Sequence, residues 1–111
     1  MATAQTFSEL ALSFEGSNEH PHFDKTSFRY KSKIFATLNQ KENRSTLKFT
    51  PEEQSMLCKV NPDAIFPVPN KWGKTGWTHI IYEEIPEEIL LELLRAAYLN
   101  LRPGYQFENI L

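Results

Sequence analysis

The fold is decided by residues 28–38, FRYKSKIFATL, where an apolar residue stands at every second position on either side of Ser32. A period of two predicts an antiparallel hairpin with one face on a core and the other in water. After the polar residues 39–43, the alternation continues through Leu47 and Phe49, which predicts a third strand. A short leading strand is expected over residues 20–23.

Two of the three predicted helices lie near the ends of the chain. Residues 4–14 place apolar side chains at helical spacing, and Thr3 and Thr6 are equally good N-caps for them. Residues 86–101 carry a wide apolar stripe after two glutamates, whose charge suits the first turn of a helix.

The other helix, over residues 51–60, has the clearest local signal in the chain. Thr50 is a helix-capping residue, proline suits the next position, and a glutamate follows three residues after the cap. The apolar spacing predicts that Met56, Leu57 and Val60 form the buried side of this helix.

The remaining sequence completes an α+β pattern. Residues 62–76 are rich in proline and glycine and are expected to be irregular, with brief pairing at residues 65–66. Residues 77–82 are predicted to form a strand, and the apolar tail, residues 105–111, is expected to dock on the body. The order α-β-β-β-α-β-α predicts a single domain over residues 1–111, a curved antiparallel sheet with helices packed on one face. The other face is expected to carry four cations: Arg29, Lys31, Lys33 and Lys48.

The composition is that of one globular domain, with 111 residues, 41% hydrophobic and 23% charged. No apolar run reaches the roughly 18 residues of a membrane helix, so no membrane association is expected. Residues 1–5 have neither a basic start nor an apolar stretch, and we expect no secretory signal. One cysteine, Cys58, excludes an internal disulfide framework and is typical of the reducing cytoplasm, where we expect the protein.

Charge is unevenly distributed, although the total is only −2. Residues 25–48 contain seven cations and one acid, a net charge of +6, whereas residues 83–108 carry −4. Such an asymmetry can produce a positive face on a slightly acidic domain. The alternative interpretation is that lysines keep the solvent side of the strands soluble and block edge pairing.

The sequence shows no catalytic signature. Residues 73–75, Gly-Lys-Thr, match the end of a phosphate-binding loop, but Val68 replaces the glycine required upstream. Cys58 is predicted to be a buried, inert thiol. The one candidate metal site consists of three histidines: His20, His22 and His79. No zinc-ligand spacing accompanies them, so no metal, cofactor or catalytic residue is predicted.

Residues 71–77, KWGKTGW, combine two tryptophans with two lysines. Exposed aromatic rings beside cations can stack on nucleic-acid bases. The alternative is that both tryptophans anchor an irregular loop to the core. We favour the anchoring role for Trp77, whereas Trp72 fits either interpretation.

Seven stretches carry a family resemblance: LALSFEG (10–16), PHF (21–23), FRYKSKIFATL (28–38), LKF (47–49), FPVP (66–69), WGxxGWT (72–78) and RAAY (95–98). Together they resemble the MmcQ/YjbR-like group of small bacterial proteins over nearly the whole chain. The resemblance implies an α+β fold related in shape to type III secretion chaperones and a double-wing DNA-binding function. It supplies no catalytic residues, so a non-enzymatic protein is expected.

The resemblance implies wings at the hairpins around residues 31–33 and 39–44. The candidate interface with double-stranded DNA consists of ten residues: Lys25, Arg29, Lys31, Lys33, Lys41, Arg44, Lys48, Lys71, Trp72 and Lys74. Its cations are expected to contact phosphates without reading sequence. Two other hypotheses stay open. One is a protein-interaction module that uses the sheet face or the C-terminal tail, and the other is a metal or ligand site at the histidines.

Overall fold

Four helices and six strands follow one another in the computed structural model, which describes residues 2–101. They are α1 (Ala4–Leu12), β1 (Ser17–His22), β2 (Lys25–Tyr30), β3 (Lys33–Asn39), β4 (Arg44–Lys48), α2 (Pro51–Val60), β5 (Ile65–Pro67), α3 (Lys71–Lys74), β6 (Trp77–Ile80) and α4 (Glu87–Leu99). A 3₁₀ turn, Tyr82–Glu84, precedes α4. The predicted tail, residues 105–111, lies outside the described residues.

All six strands belong to one antiparallel sheet with the order β1-β2-β3-β4-β6-β5. The leading strand expected near residues 20–23 is β1, which starts earlier, and the brief pairing expected near Ile65 is β5. Both are edge strands, and Pro21 and Pro67 lie on them because proline has no amide hydrogen to donate to a second neighbour. The predicted α+β fold class is therefore confirmed, and β1, β5 and the one-turn helix α3 are added to the predicted order.

One face of the sheet, here called the helix face, packs against α1 and α4 and contains the core. Phe7 of α1 lies 5.7 Å from Phe28 of β2, measured between ring centroids. Phe35 of β3 lies 5.7 Å from Tyr98 of α4 in the same way. The Tyr98 hydroxyl donates a hydrogen bond to the carbonyl oxygen of Glu15, which ties α4 to the segment after α1.

A β-bulge between β2 and β3 breaks the strict alternation that the sequence predicts. Phe28 pairs with Ala36, but its neighbour Arg29 pairs with Ile34, so Phe35 is an extra residue. Phe35 and Ala36 are both buried in the core. A bulge places two successive side chains opposite one partner residue, and this turns Ile34 to the other face.

The structure confirms the bounds of α2 and its N-terminal cap, but not its predicted buried side. Met56 and Val60 are 61% and 78% exposed, which contradicts the expectation that they are buried. α2 packs beside the edge strand β5, so only a narrow stripe meets the protein. That stripe contains Gln54, Leu57 and Cys58, which are half-buried.

The cap of α2 gives a first prediction about stability. The Thr50 side chain accepts a hydrogen bond from the amide of Glu53, and the Glu53 carboxylate accepts one from the amide of Thr50. We expect Thr50→Ala to lower the free energy of unfolding by about 1 kcal/mol, since the amide of Glu53 loses its acceptor. Urea unfolding measures this change, and Thr50→Ser should restore most of the stability. Equal stability of the alanine variant and the wild type would contradict the role of the cap.

Two other elements, α1 and β6, end slightly earlier than predicted. α1 begins after Thr3, whose side chain accepts a hydrogen bond from the Thr6 amide, so Thr3 is the cap. α1 also stops at Leu12, two residues earlier than predicted. β6 ends at Ile80 and turns directly into the 3₁₀ turn.

Candidate nucleic-acid interface

The face of the sheet that α1 and α4 leave uncovered is called the outer face here. A row of six residues crosses it in register, one from each strand: His20, Ser27, Thr37, Thr46, His79 and Phe66. These side chains point away from the core, because the residues that flank them along the strands face the helices.

Four of the predicted cations lie on this outer face, in two pairs. Lys25 and Arg29 belong to β2, and Arg44 and Lys48 belong to β4, two strands away. Neighbouring strands are spaced by about 4.8 Å and residues along a strand by about 3.3 Å. The four cations therefore mark the corners of a patch of about 10 by 13 Å, close to the roughly 12 Å width of a DNA major groove.

The side chains of three of these cations have hydrogen-bond partners within the protein. Arg29 Nε donates to Ser27 Oγ over 3.0 Å, and Lys48 Nζ donates to the carbonyl oxygen of Thr75 over 2.8 Å. Arg44 Nη2 lies 2.7 Å from a carboxylate oxygen of Glu42. These bonds fix side-chain directions, and the pair with Glu42 offsets part of the positive charge at one corner.

Lys31, Lys33 and Lys41 lie away from the patch, contrary to the expected position of the first two on the outer face. Lys31 belongs to the two-residue turn between β2 and β3, and its Nζ lies 5.6 Å from the centre of the Tyr30 ring. Lys33 pairs with Tyr30, whose ring packs on Tyr98, so its register assigns it to the helix face. Lys41 lies in the turn between β3 and β4, at the opposite end of the hairpin.

The last three predicted residues, Lys71, Trp72 and Lys74, lie on the one-turn helix α3 beside the outer face. Trp72 is 56% exposed, and Lys71 Nζ lies 5.7 Å from the centre of its ring. Gly73 allows this turn to pack closely against the loop before it. Any other residue would place a Cβ within 1.9 Å of the Val68 carbonyl oxygen. The Gln54 amide of α2 donates to the Gly73 carbonyl oxygen over 2.9 Å and so holds the turn from below.

A cavity of about 360 Å³ opens on the outer face between the sheet and α3. Its wall and rim include Trp72, Trp77 and Asn70, and its floor includes Thr37 and Thr46. Trp77 is half-buried and faces this cavity, so the predicted anchoring in the core is wrong for this residue. The register assigns it to the outer face, opposite Lys48.

His79 lies on the floor of the same cavity, 2.9 Å from the Thr46 hydroxyl through Nδ1. Burial, with a smaller contribution from the positive charges of Arg44 and Lys25, lowers the pKa of its imidazole from 6.5 to about 4, and the negative charge of Glu42 opposes this shift. The imidazole is therefore neutral at pH 7.

This low pKa predicts a pH dependence of stability. The unfolded chain binds a proton near pH 6.5 whereas the folded protein does so near pH 4, so stability is lost as pH falls through this interval. We expect the free energy of unfolding to fall by on the order of 1 kcal/mol. This value already allows for solvent screening, because the ring is only half-buried. Urea unfolding at pH 7 and pH 4.5 tests this, and His79→Gln should show a smaller difference. The same difference in both proteins would contradict the assignment to His79.

Acidic residues are concentrated on the other side of the molecule. The helices α1, α2 and α4 and the 3₁₀ turn carry eight acids: Glu9, Glu52, Glu53, Glu83, Glu84, Glu87, Glu88 and Glu92. Two cations, Lys59 and Arg95, accompany them, and Arg95 is paired with Glu92. On the outer face, Asp24 and Glu42 lie in the turns at one end. The slightly acidic total charge thus comes from the helical side, and the patch stays positive.

The three histidines do not form a metal centre. His20 and His79 share a row of the sheet but lie four strands apart, about 19 Å along the sheet. No group of three His, Cys, Asp or Glu side chains within residues 2–101 is placed to hold a metal ion. Cys58 is half-buried, and burial raises the pKa of its thiol, which disfavours the reactive thiolate.

Sequence analysis missed one exposed aromatic side chain beside the patch. Phe23, at the turn between β1 and β2, is 93% exposed and has a positive φ of 61°, which is rare for a bulky residue. Phe23 lies close to Lys25 because the turn between β1 and β2 contains only two residues. The hydroxyl groups of Thr37 and Thr46 were also missed, because only the strand register brings them below the tryptophans.

Within residues 2–101, no helix has both the length and the apolar composition needed to cross a bilayer.

Comparisons with known proteins identify the family and the fold. The Deinococcus radiodurans protein DR2400, which has a DUF419 domain, is 25% identical, with a TM-score of 0.79 over 97% of this chain and 85% of that one. A Pseudomonas syringae protein is 19% identical, with a TM-score of 0.72 over 91% of this chain and 100% of that one, and shows the same fold. No curated protein matches the chain. The YjbR family model matches residues 12–100, and the chain therefore belongs to the YjbR family.

Proposed function

We propose that this protein is a non-enzymatic DNA-binding protein whose outer face contacts the phosphate backbone of a duplex. The observation that carries the proposal is the patch at whose corners lie Lys25, Arg29, Arg44 and Lys48. The helices α1 and α4 pack on the opposite face of the sheet, and the dimensions of the patch suit a DNA groove. The family resemblance to double-wing DNA-binding proteins supports the same function.

Separation of charge supports the proposal despite the pI of 5.9. A duplex approaching the outer face meets the cations of the strands, while the glutamates of α1 and α4 lie on the far side of the sheet and those of α2 lie beside its edge. Since the Debye length is about 8 Å at physiological ionic strength, those glutamates are largely screened from the bound phosphates. Orientation of the protein, rather than its net charge, then decides whether binding is favourable.

Cations near the margins extend the interface. Lys41 lies in the turn between β3 and β4, and Lys71 and Lys74 lie on α3. Together with Lys25 and Arg29, this gives roughly five phosphate contacts. Contacts of this kind position a duplex without distinguishing its sequence.

The salt dependence of duplex affinity tests the proposal. With about five contacts, the logarithm of the association constant should fall with a slope of about −4.5 against the logarithm of salt concentration. Affinity would then drop about 500-fold between 50 and 200 mM salt. Fluorescence anisotropy with a labelled duplex measures this, and two duplexes of unrelated sequence should give similar values. Absence of binding at 50 mM salt would contradict the proposal.

A further inference from the structure

The cavity on the outer face has the size and lining of a ligand site. Its volume of about 360 Å³ lies at the lower end of the range for small-molecule pockets. Apolar rings and a few polar groups line it together, as is usual in such sites. The cavity opens inside the positive patch, with Lys25 contributing to its rim.

Aromatic surface is available for stacking at this site. Both tryptophans of the chain, Trp72 and Trp77, line the cavity, and the ring of Trp72 is more exposed than covered. Lys71 Nζ lies 5.7 Å from the centre of the Trp72 ring, so a flat ligand that stacks on this ring lies near a positive charge. Stacking of a nucleobase on an aromatic side chain strengthens the binding of unpaired DNA whatever the base, because every base has a π-face.

The floor of the cavity offers hydrogen-bonding groups that carry no charge. Thr37 and Thr46 supply hydroxyl groups, Asn70 supplies an amide near the rim, and His79 is neutral at pH 7. Uncharged donors and acceptors match the polar edge of a nucleobase better than they match a phosphate. Cations lie at the rim of the cavity and neutral polar groups lie at its floor. A nucleotide fits this arrangement when its phosphate stays at the rim and its base enters the cavity.

We propose that this cavity takes one unpaired nucleobase from a DNA strand whose phosphates lie on the positive patch. The inference rests on the proposed function and adds to it, because backbone contacts alone do not distinguish paired from unpaired DNA. The base stacks against Trp72 with its polar edge toward Thr37, Thr46 and His79. A base inside an intact duplex cannot reach this floor without leaving the stack.

Intrinsic fluorescence gives a direct test, since both tryptophans line the cavity. Three probes are compared: a fully paired duplex, the same duplex with one extra unpaired thymidine, and a single-stranded oligothymidylate of the same length. We expect the unpaired thymidine to raise affinity about 5- to 100-fold and to quench the fluorescence. Trp72→Ala should remove this preference, so that the variant binds the bulged and the fully paired duplex with equal affinity. Met56→Ala, an exposed change on α2, is the control.

The outcomes separate the two proposals. Equal affinity for the paired and the bulged duplex, unchanged in Trp72→Ala, overturns the base site and leaves backbone binding intact. Binding and quenching by the single strand without duplex binding overturns the duplex interface and supports the base site. Absence of binding by all three probes at 50 mM salt overturns both. Circular dichroism and thermal unfolding of Trp72→Ala check that the variant is folded.

Discussion

Replacing Lys25 and Arg29 together by glutamate should reduce duplex affinity at low salt roughly 100-fold or more. Both residues belong to β2 and lie on the outer face, where each reversal replaces an attraction for phosphate by a repulsion. The salt dependence should become shallower by about two units, since each lost phosphate contact removes about one. Fluorescence anisotropy at 50 mM salt measures the loss.

The matched control for this variant is Lys59→Glu/Arg95→Glu. It makes the same change in net charge, but on α2 and α4. If the outer face binds the duplex, the control should lose only a few-fold in affinity, because its new charges are screened at that distance. Equal losses in the two variants would show that net charge matters and the face does not, and would contradict the proposed interface.

Gly76→Ala should destabilise the protein by roughly 3 kcal/mol or more. Gly76 has a φ of 112°, and a Cβ on it would come within 1.8 Å of the carbonyl oxygen of Phe49. The amide of Phe49 donates to the Gly76 carbonyl oxygen over 3.0 Å, so the backbones of β4 and β6 meet closely here. Neither backbone atom can move aside without separating the two strands.

Gly16→Ala is the control that separates this clash from the cost of a positive φ alone. Gly16 has a φ of 80°, but its added Cβ would meet the ring of Tyr30, a side chain that can shift. We expect this variant to cost about 1 kcal/mol. Urea unfolding compares the two, and equal losses of stability would contradict the close approach of β4 and β6.

Local signals predicted the helices well. Thr50, Pro51 and Glu53 determine where α2 begins, because a cap depends on residues within one turn. The buried side of α2 was predicted wrongly, since it depends on where the helix docks against β5. Met56 and Val60 have the spacing of a buried stripe, but nothing in the sequence indicates that α2 lies at the edge of the sheet.

The strands, like α2, were predicted from local sequence patterns only in part. Alternation predicted the hairpin of β2 and β3. It did not locate the bulge at Phe35, because Ile34, Phe35 and Ala36 are all apolar and the pattern does not show which of them is the extra residue. The bulge and the turn then determine which cations share a face, so Arg29 lies on the outer face and Lys33 does not. The family resemblance covered nearly the whole chain, and the family match confirms it.

The cavity was beyond prediction from sequence. Its lining comes from several strands and from α3, and it is brought together by register between residues more than 30 positions apart, such as Thr46 and His79. The adjacent lysines and tryptophans of residues 71–77 indicate a candidate binding role from the sequence. Their partners on the floor are ordinary strand residues without a motif.

The most direct test of the outer face as the DNA-binding surface is an amide NMR titration of the ¹⁵N-labelled protein with a short duplex. We expect the largest chemical-shift changes at β2, β4 and α3, around Lys25, Arg29 and Trp72. The amides of α1 and of the first turn of α4 should change little. Changes concentrated on α4 or α2, with the strands of the outer face unaffected, would contradict the account.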